Sequence, residues 1–189
     1  MQASNNPYVS TWYGDIHEDL LARFKTIKLL VCDVDGVFSD GRIYLGNNGE
    51  ELKAFHTRDG LGVKALLSAG IEVAVITGRT STIVQSRMQA LGVQHIYQGQ
   101  HDKLMALREI QSQTGISLEQ TASVGDDTPD LALFQGSQLA FSVFDGHPQV
   151  QQHAHYVTQQ RGGFGAVREI ADLLLLSQGL LHQVQESST

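Results

Sequence analysis

The chain has 189 residues and a formal net charge of -7, with 41% hydrophobic and 17% charged residues. This length suits one domain with a sizeable core, and the acidic balance argues against general binding to nucleic acids or anionic membranes. Cys32 is the single cysteine, so no internal disulfide forms, and no stretch approaches the ~20 apolar residues of a membrane helix. We therefore expect a cytoplasmic protein with no membrane partner.

The first half of the chain begins with polar residues 1–15, for which we expect a flexible segment. The apolar spacing over residues 16–24 predicts a helix. The all-apolar run Leu29–Cys32 predicts a strand that is buried on both faces, as in a parallel sheet. Asn48-Gly49 lies between two strand-like runs and predicts a β-hairpin.

The second half alternates between short apolar runs and helical patterns. Strands are predicted at residues 71–76, 95–97, 121–124, 139–143 and 155–157, and helices begin near residues 59, 81, 103, 129 and 166. This alternation predicts an α/β fold with a doubly wound parallel sheet. We expect a single domain over residues 16–179, from which the hairpin projects, and a polar tail over residues 180–189.

Polar groups follow three of the predicted strands, at the edge where open α/β sheets bind ligands. Lys103, at the start of a helix, is expected at the same edge. Carboxylates that converge there repel each other unless a cation or protons intervene, and their oxygens suit Mg²⁺, which also accepts substrate phosphate. The strand-end groups are Asp33 with Asp35, Thr77-Gly78-Arg79, and Asp126-Asp127 with Asp130.

These residue types together predict a phosphoryl-transfer site. A hydroxyl and backbone N–H groups at Thr77 and Gly78, beside a helix N-terminus, can hold an anion, and Lys103 adds a positive charge. An aspartate can attack phosphorus to form an aspartyl-phosphate, and a second aspartate two residues away can move protons. No Cys/His cluster has the spacing of a zinc site.

The polar strand ends resemble, in order, the four motifs of the haloacid dehalogenase-like phosphatases, and the resemblance covers residues 27–179. It implies that Asp33 is the nucleophile and a Mg²⁺ ligand, and that Asp126 is a further ligand. Asp35 would be the general acid/base and would bind the metal through its backbone carbonyl. The four motifs are Asp33-Val34-Asp35-Gly36-Val37, Thr77-Gly78, Lys103 and Gly125-Asp126-Asp127-Thr128-Pro129-Asp130.

The same resemblance implies roles for the remaining motif residues. Thr77 and Gly78 would bind the phosphoryl oxygens, and Lys103 would neutralise charge near the nucleophile. Asp127 and Asp130 would support the metal site. The second aspartate of the first motif favours a phosphatase over a dehalogenase, which does not need that acid/base.

Short gaps between the motifs leave no room for a cap domain. The chain therefore resembles the capless members, whose open site either accepts a large substrate or is closed by a neighbouring subunit. The hairpin at residues 42–55 is the expected oligomer element.

Segments around the motifs resemble a narrower family, the phosphatases of 3-deoxy-D-manno-octulosonate 8-phosphate. That family is capless, Mg²⁺-dependent and tetrameric and serves lipopolysaccharide synthesis in Gram-negative bacteria, so we expect a homotetramer acting on this small sugar phosphate. His56 and Phe164 depart from the family, whose members often have Asn and Arg there. The similar segments are residues 41–44, 49–55, 58–60, 76–79, 97–99 and 162–169.

The substrate of that family carries a carboxylate as well as a phosphate, so further basic groups are needed. Arg58 and Arg79 are the candidates, because arginine binds carboxylates through two hydrogen bonds; each can also be a surface residue or an ion-pair partner. Two alternatives remain open. One is a related capless phosphatase for a sialic-type nine-carbon acid phosphate or another small sugar phosphate, and the other is a non-catalytic scaffold with the same fold.

Overall fold

The computed structural model describes residues 7–181, so residues 1–6 and 182–189, which include most of the predicted polar tail, lie outside the described residues. The strands of the described part are β1 (Tyr8–Thr11), β2 (Gly14–His17), β3 (Leu29–Cys32), β4 (Tyr44–Leu45), β5 (Glu51–Leu52), β6 (Glu72–Ile76), β7 (His95–Tyr97), β8 (Thr121–Gly125), β9 (Leu139–Ser142) and β10 (Tyr156–Val157). Its α-helices are α1 (Glu18–Phe24), α2 (Thr57–Ser68), α3 (Thr82–Leu91), α4 (Lys103–Thr114), α5 (Leu131–Gln135), α6 (Pro148–His153) and α7 (Ala166–Ser177). Among the helices of residues 7–181, none has the length and hydropathy that a bilayer crossing requires.

Six strands form one parallel sheet in the order β10-β9-β8-β3-β6-β7. The predicted doubly wound α/β fold is therefore confirmed. β3 lies at the centre, and its residues Leu29–Cys32 pair with β6 on one side and with β8 on the other. The chain winds outward from β3 to β7 and then returns to build the other half from β8. This reversal beside β3 marks the place where such sheets bind ligands.

Alternate residues of β3 face two helical layers. Leu30 and Cys32 lie in the larger core with buried residues of α1, α2, α3 and α7, whereas Leu29 and Val31 face α4 and α5. All four side chains are fully buried, as the apolar run predicted. Cys32 is a buried free thiol within the larger core. The central strand is thus fixed on both faces, and so is the point where it ends.

The N-terminal region differs from its prediction. β1 and β2 pair antiparallel across residues 8–17, and the helix predicted from Ile16 begins at Glu18, because Ile16 belongs to β2. Gly14, with a φ of 94°, allows the tight turn between the strands, and the Tyr13 hydroxyl donates to Asp172 Oδ2 at 2.7 Å. The predicted domain limits at residues 16 and 179 stay predictions.

The predicted hairpin is confirmed, with β4 and β5 pairing antiparallel. The Gly46 N–H donates to Glu50 O at 2.8 Å, and Gly49 takes a φ of 88° in the turn. Three apolar side chains project into solvent there, since Ile43 is 51% exposed, Leu45 72% and Leu52 69%. No cap domain interrupts the described chain, because only this hairpin separates β3 from α2.

A glycine-rich segment, residues 162–165, packs against the loop that follows β3. A Cβ at Gly162 would lie 1.6 Å from Gly36 O. At Gly163, whose φ is 73°, a Cβ would lie 2.5 Å from the Ser39 carbonyl carbon. The Gly163 N–H donates to Val37 O at 2.8 Å. The two backbones therefore touch without side chains between them, which positions the loop carrying Asp35.

Gly162→Ala should lower the free energy of unfolding by about 3 kcal/mol, because the added methyl group overpacks a backbone contact. Gly70→Ala is the matched control, since Gly70 has no atom within 4 Å of its ideal Cβ and carries only the left-handed penalty of about 1 kcal/mol. Urea unfolding of both variants measures the difference. Equal losses would show that the contact between Gly162 and Gly36 is not tight.

Candidate active site

Asp33 lies directly beyond the central strand, at the carboxyl edge of the sheet. Its N–H donates to Val124 O at 3.1 Å, which continues the pairing of β3 with β8 by one residue. The residue is only 5% exposed. A carboxylate this well buried needs a compensating charge, and the lysine that begins α4 supplies it.

Lys103 bridges two aspartates. Its Nζ lies 2.7 Å from Asp33 Oδ1 and 2.6 Å from Asp130 Oδ1, and the lysine is 7% exposed. Asp130 Oδ2 in turn accepts hydrogen bonds from the N–H groups of Asp126, at 3.0 Å, and Asp127, at 3.3 Å. The ion pair of Lys103 with Asp130 therefore connects the start of α4 to the loop after β8. The same ammonium group holds the Asp33 carboxylate.

Three carboxylates converge at this point. Single oxygens of Asp33, Asp126 and Asp130 all lie within 4.8 Å of one another. Gly36 permits the approach of Asp126, because a Cβ at Gly36, whose φ is 95°, would lie 2.0 Å from Asp126 Oδ2. Among residues 7–181, Lys103 is the one ammonium group ion-paired to the cluster, so two formal negative charges remain. Oxygen donors with this charge fit a hard divalent cation such as Mg²⁺.

The carboxylates repel one another and are removed from water, so their proton affinities rise. Burial and the charge of Asp130 raise the pKa of Asp33 to about 7, against the opposing effect of Lys103. Burial and the charge of Asp33 raise the pKa of Asp126 to about 8. Burial opposes the charge of Lys103, but the two carboxylates outweigh it and raise the lysine pKa. A cation binding here would displace protons.

Thr77 and Gly78 lie at the end of β6, next to the central strand. The register pairs Cys32 with Val75, so Thr77 and Val34 are each two residues beyond the last pair. Thr77 is 3% exposed, and Gly78, which is exposed, donates no hydrogen bond within residues 7–181. A hydroxyl and a free backbone donor beside Asp33 can serve phosphoryl oxygens. That role stays a prediction.

Asp35 belongs to a second charged group, which joins the hairpin to the site. Lys53 Nζ contacts Asp35 Oδ1, and Arg79 lies between two acids, with Nε 3.9 Å from Asp35 Oδ2 and Nη2 3.4 Å from Glu51 Oε1. The predicted residues Asp35 and Arg79 are therefore brought together. The sequence analysis missed Lys53 as a site residue, although the alternation Glu51-Leu52-Lys53 places both charged side chains on one face of a strand.

Arg58 is not brought to the aspartates. Its Nη2 donates to Phe164 O at 3.1 Å and lies 3.4 Å from His56 Nε2, and it has no ion pair to Asp33, Asp35 or Asp126 in the part of the chain described. His56 acts here as the N-cap of α2, accepting from the Arg58 N–H at 3.1 Å. The predicted contact of Arg58 with substrate stays a prediction.

Comparisons with known proteins assign the chain to a family. The model of the haloacid dehalogenase-like hydrolase family matches residues 92–169. The 3-deoxy-D-manno-octulosonate 8-phosphate phosphatase of Yersinia pestis is 48% identical over 178 residues, which cover 94% of this chain and 95% of that protein. Identity at this level over nearly the whole length of both chains shows common family membership.

Solved structures give the same result. A crystal structure of the Yersinia pestis phosphatase matches with a TM-score of 0.92, covering 94% of this chain and 96% of the other. The Moraxella catarrhalis phosphatase, solved in complex with a magnesium ion, a phosphate ion and a KDO molecule, is 41% identical. It has a TM-score of 0.87 and coverages of 91% and 99%. The fold and site place this chain among the haloacid dehalogenase-like hydrolases. Within that class it belongs to the 3-deoxy-D-manno-octulosonate 8-phosphate phosphatase family.

Mg²⁺ should raise the melting temperature more at about pH 8.5 than at about pH 6, because the cation competes with fewer protons at high pH. Folding raises the pKa values of Asp33 and Asp126 to about 7 and about 8. The metal-free folded state thus binds more protons than the unfolded chain between about pH 4 and about pH 8, and this contribution to stability is lost as the pH rises through the folded pKa values.

Differential scanning calorimetry with and without Mg²⁺ measures this dependence. Asp126→Asn removes one titrating carboxylate and should flatten it, whereas Asp19→Asn, at an exposed position in α1, should leave it unchanged. A Mg²⁺-induced shift of the same size at both pH values would contradict the expectation.

Proposed function

We propose that this enzyme hydrolyses 3-deoxy-D-manno-octulosonate 8-phosphate to the free sugar acid and phosphate, in lipopolysaccharide biosynthesis. The observation that carries the proposal is the buried Asp33 beside Lys103 and the carboxylates of Asp126 and Asp130, in a chain that belongs to this family of phosphatases. The enzyme is a Mg²⁺-dependent phosphomonoester hydrolase.

In the first half-reaction, an Asp33 oxygen attacks phosphorus while the bond from phosphorus to the sugar oxygen breaks. Asp35 donates a proton to that leaving oxygen, so the sugar leaves as an alcohol. The product on the enzyme is an aspartyl-phosphate. In the second half-reaction, water attacks phosphorus and gives its proton to Asp35. The bond from phosphorus to Asp33 breaks and phosphate is released.

The surrounding residues stabilise the charge of the phosphoryl group. The Thr77 hydroxyl and the Gly78 N–H bind its oxygens, and Lys103 offsets the negative charge beside Asp33. When bound, Mg²⁺ supplies further positive charge to the phosphoryl oxygens. Asp33, Asp126 and the Asp35 carbonyl would hold it, with Asp127 and Asp130 as supporting groups.

The substrate carboxylate needs a cation outside the phosphoryl site. Arg79 is the better candidate for this role, because its side chain is 46% exposed and lies at the edge of the site near Asp35. Arg58 serves as a second contact from the start of α2, beside the exposed Phe164. Removal of either arginine would raise KM for a sugar acid phosphate more than for a neutral sugar phosphate.

We further propose a cytoplasmic homotetramer assembled through the hairpin. Ile43, Leu45 and Leu52 present apolar side chains to solvent on an element that pairs only with itself among the described residues. Several large apolar side chains exposed on one projecting element favour an interaction site there. The open, capless site would be closed by a neighbouring subunit docked on this hairpin.

Asp33→Asn should abolish turnover, with a loss of at least about 10⁴-fold, because the amide is a poor nucleophile. A phosphate-release assay with Mg²⁺ measures turnover on the eight-carbon acid phosphate, a nine-carbon acid phosphate and neutral sugar phosphates. Asp19→Asn is the matched control and should keep full activity. An active, correctly folded Asp33→Asn variant would refute the nucleophile assignment. A wild-type enzyme that prefers the nine-carbon substrate would overturn the substrate assignment. A wild-type protein that is inactive on every phosphate would support the scaffold alternative.

Leu45→Glu combined with Leu52→Glu should convert the oligomer into monomers, because two charges would be buried at the docked hairpin. Size-exclusion chromatography with light scattering measures the mass of the assembly. Lys64→Glu, an exposed change on α2, controls for the altered net charge. A wild-type protein that is active as a monomer would contradict the proposed assembly.

A further inference from the structure

We propose that Lys53 is a positioning residue for the general acid/base, because it holds one oxygen of the Asp35 carboxyl group and leaves the other to carry the proton. This inference rests on the proposed function. It assigns a catalytic purpose to a hairpin residue that lies 18 positions from Asp35 in the sequence.

The backbone after the hairpin turn directs Lys53 inward. Glu51, Lys53 and Phe55 are partly buried, whereas Leu52 and Ala54 are exposed. This alternation has the period of an extended strand. The inward face carries Glu51 to Arg79 and Lys53 to Asp35, and the Phe55 side chain packs against the larger core. The hairpin therefore delivers an ammonium group to the acid/base from outside the sheet.

The Lys53 side chain is only 2% exposed, whereas that of Asp35 is 22% exposed. A buried ammonium group is costly unless it is paired, and in residues 7–181 its ion pair is with Asp35. A buried ion pair contributes little to folding, since an apolar replacement is often neutral. Stability alone therefore does not account for a lysine at this position.

The two oxygens of Asp35 have different surroundings. Oδ1 is in contact with Lys53 Nζ and lies 3.4 Å from the Ser39 hydroxyl, which donates to it. Oδ2 accepts no hydrogen bond from the described residues, and the Arg79 Nε is 3.9 Å away. A proton shared with the leaving oxygen therefore belongs on Oδ2. Lys53 fixes the rotation of the carboxyl group so that this oxygen faces the substrate.

The proton balance of the step is simple. As the bond between phosphorus and the sugar oxygen breaks, the proton on Oδ2 passes to that oxygen, and Asp35 becomes a carboxylate that the Lys53 ammonium stabilises. Water then attacks phosphorus and returns one proton to Oδ2. Lys53 keeps its own protons throughout, so it acts through Asp35 and does not contact the reacting atoms.

The test compares leaving groups of different quality. An alkyl phosphate needs a proton on its leaving oxygen, whereas p-nitrophenyl phosphate releases a stable phenolate without one. Lys53→Met should lower kcat on 3-deoxy-D-manno-octulosonate 8-phosphate by about 10²-fold, within the range for general acid catalysis. On p-nitrophenyl phosphate the loss should be smaller, because only the activation of water still uses Asp35 there, and KM should change little on both substrates. Lys53→Arg should restore most of the lost kcat, and Lys64→Met, an exposed lysine on α2, should change nothing.

A double-mutant cycle with Asp35→Asn makes the assignment specific. In the Asp35→Asn background, Lys53→Met should cause no further loss on the sugar phosphate, because the group it positions is gone. Additive losses would overturn the proposal. A rise in KM with equal losses on both substrates would also overturn it, because Lys53 would then bind the phosphoryl group itself.

The melting temperature of each variant controls for folding. If Lys53→Met does not fold, Lys53→Gln keeps the polar contact and is used in the same comparison. Failure of the proposed function would be recognised separately, because the wild-type enzyme itself would be inactive on the sugar phosphate. A wild-type enzyme that is active on both substrates, with a Lys53→Met variant that loses neither activity, would overturn the positioning role alone.

Discussion

The ion pairs of Lys103 with Asp33 and Asp130 are the interaction on which the site depends. Three carboxylates that follow the neighbouring buried strands β3 and β8 would repel one another strongly. The lysine neutralises part of this charge, and Asp130 also fixes the loop after β8 through backbone hydrogen bonds. The remaining negative charge favours the binding of a divalent cation at this point. Folding and catalysis thus depend on the same electrostatic balance.

Close contacts between backbone segments also fix the positions of the loops that carry these charged side chains. Gly36 turns the chain so that Asp126 can approach, and Gly162 lets a second backbone lie against the same loop. Asp59, buried at the start of α2, accepts from the N–H groups of Gly165, at 3.3 Å, and Arg168, at 2.9 Å. Burial raises the pKa of Asp59 against these hydrogen bonds. The glycine-rich segment is therefore held from both sides, by the start of α2 and by the loop that carries Asp35.

The sequence predicted the sheet and its carboxyl edge well, because buried parallel strands are apolar throughout and their ends are polar. It did not predict α6, whose one buried residue is Val150. It also missed the antiparallel pair of β1 and β2, whose strands are four residues long. Lys53 was missed because its partner is remote in sequence and the strand before it has only two residues. Whether Arg58 lies near Asp33 depends on side-chain direction at a helix start, which no periodicity encodes.

The segment after the hairpin turn has one exposed face and one partly buried face, and this restricts how its length can vary. In residues 51–55, the exposed Leu52 and Ala54 alternate with the partly buried Glu51, Lys53 and Phe55, with a period of two. One residue inserted between Glu51 and Lys53 would reverse the face on which Lys53 lies and send its side chain into solvent. Insertions of two residues, or changes confined to the turn at Asn47 and Asn48, would preserve both faces. The number of residues between Glu51 and Lys53 therefore decides which face Lys53 lies on, whereas the turn is free of this limit.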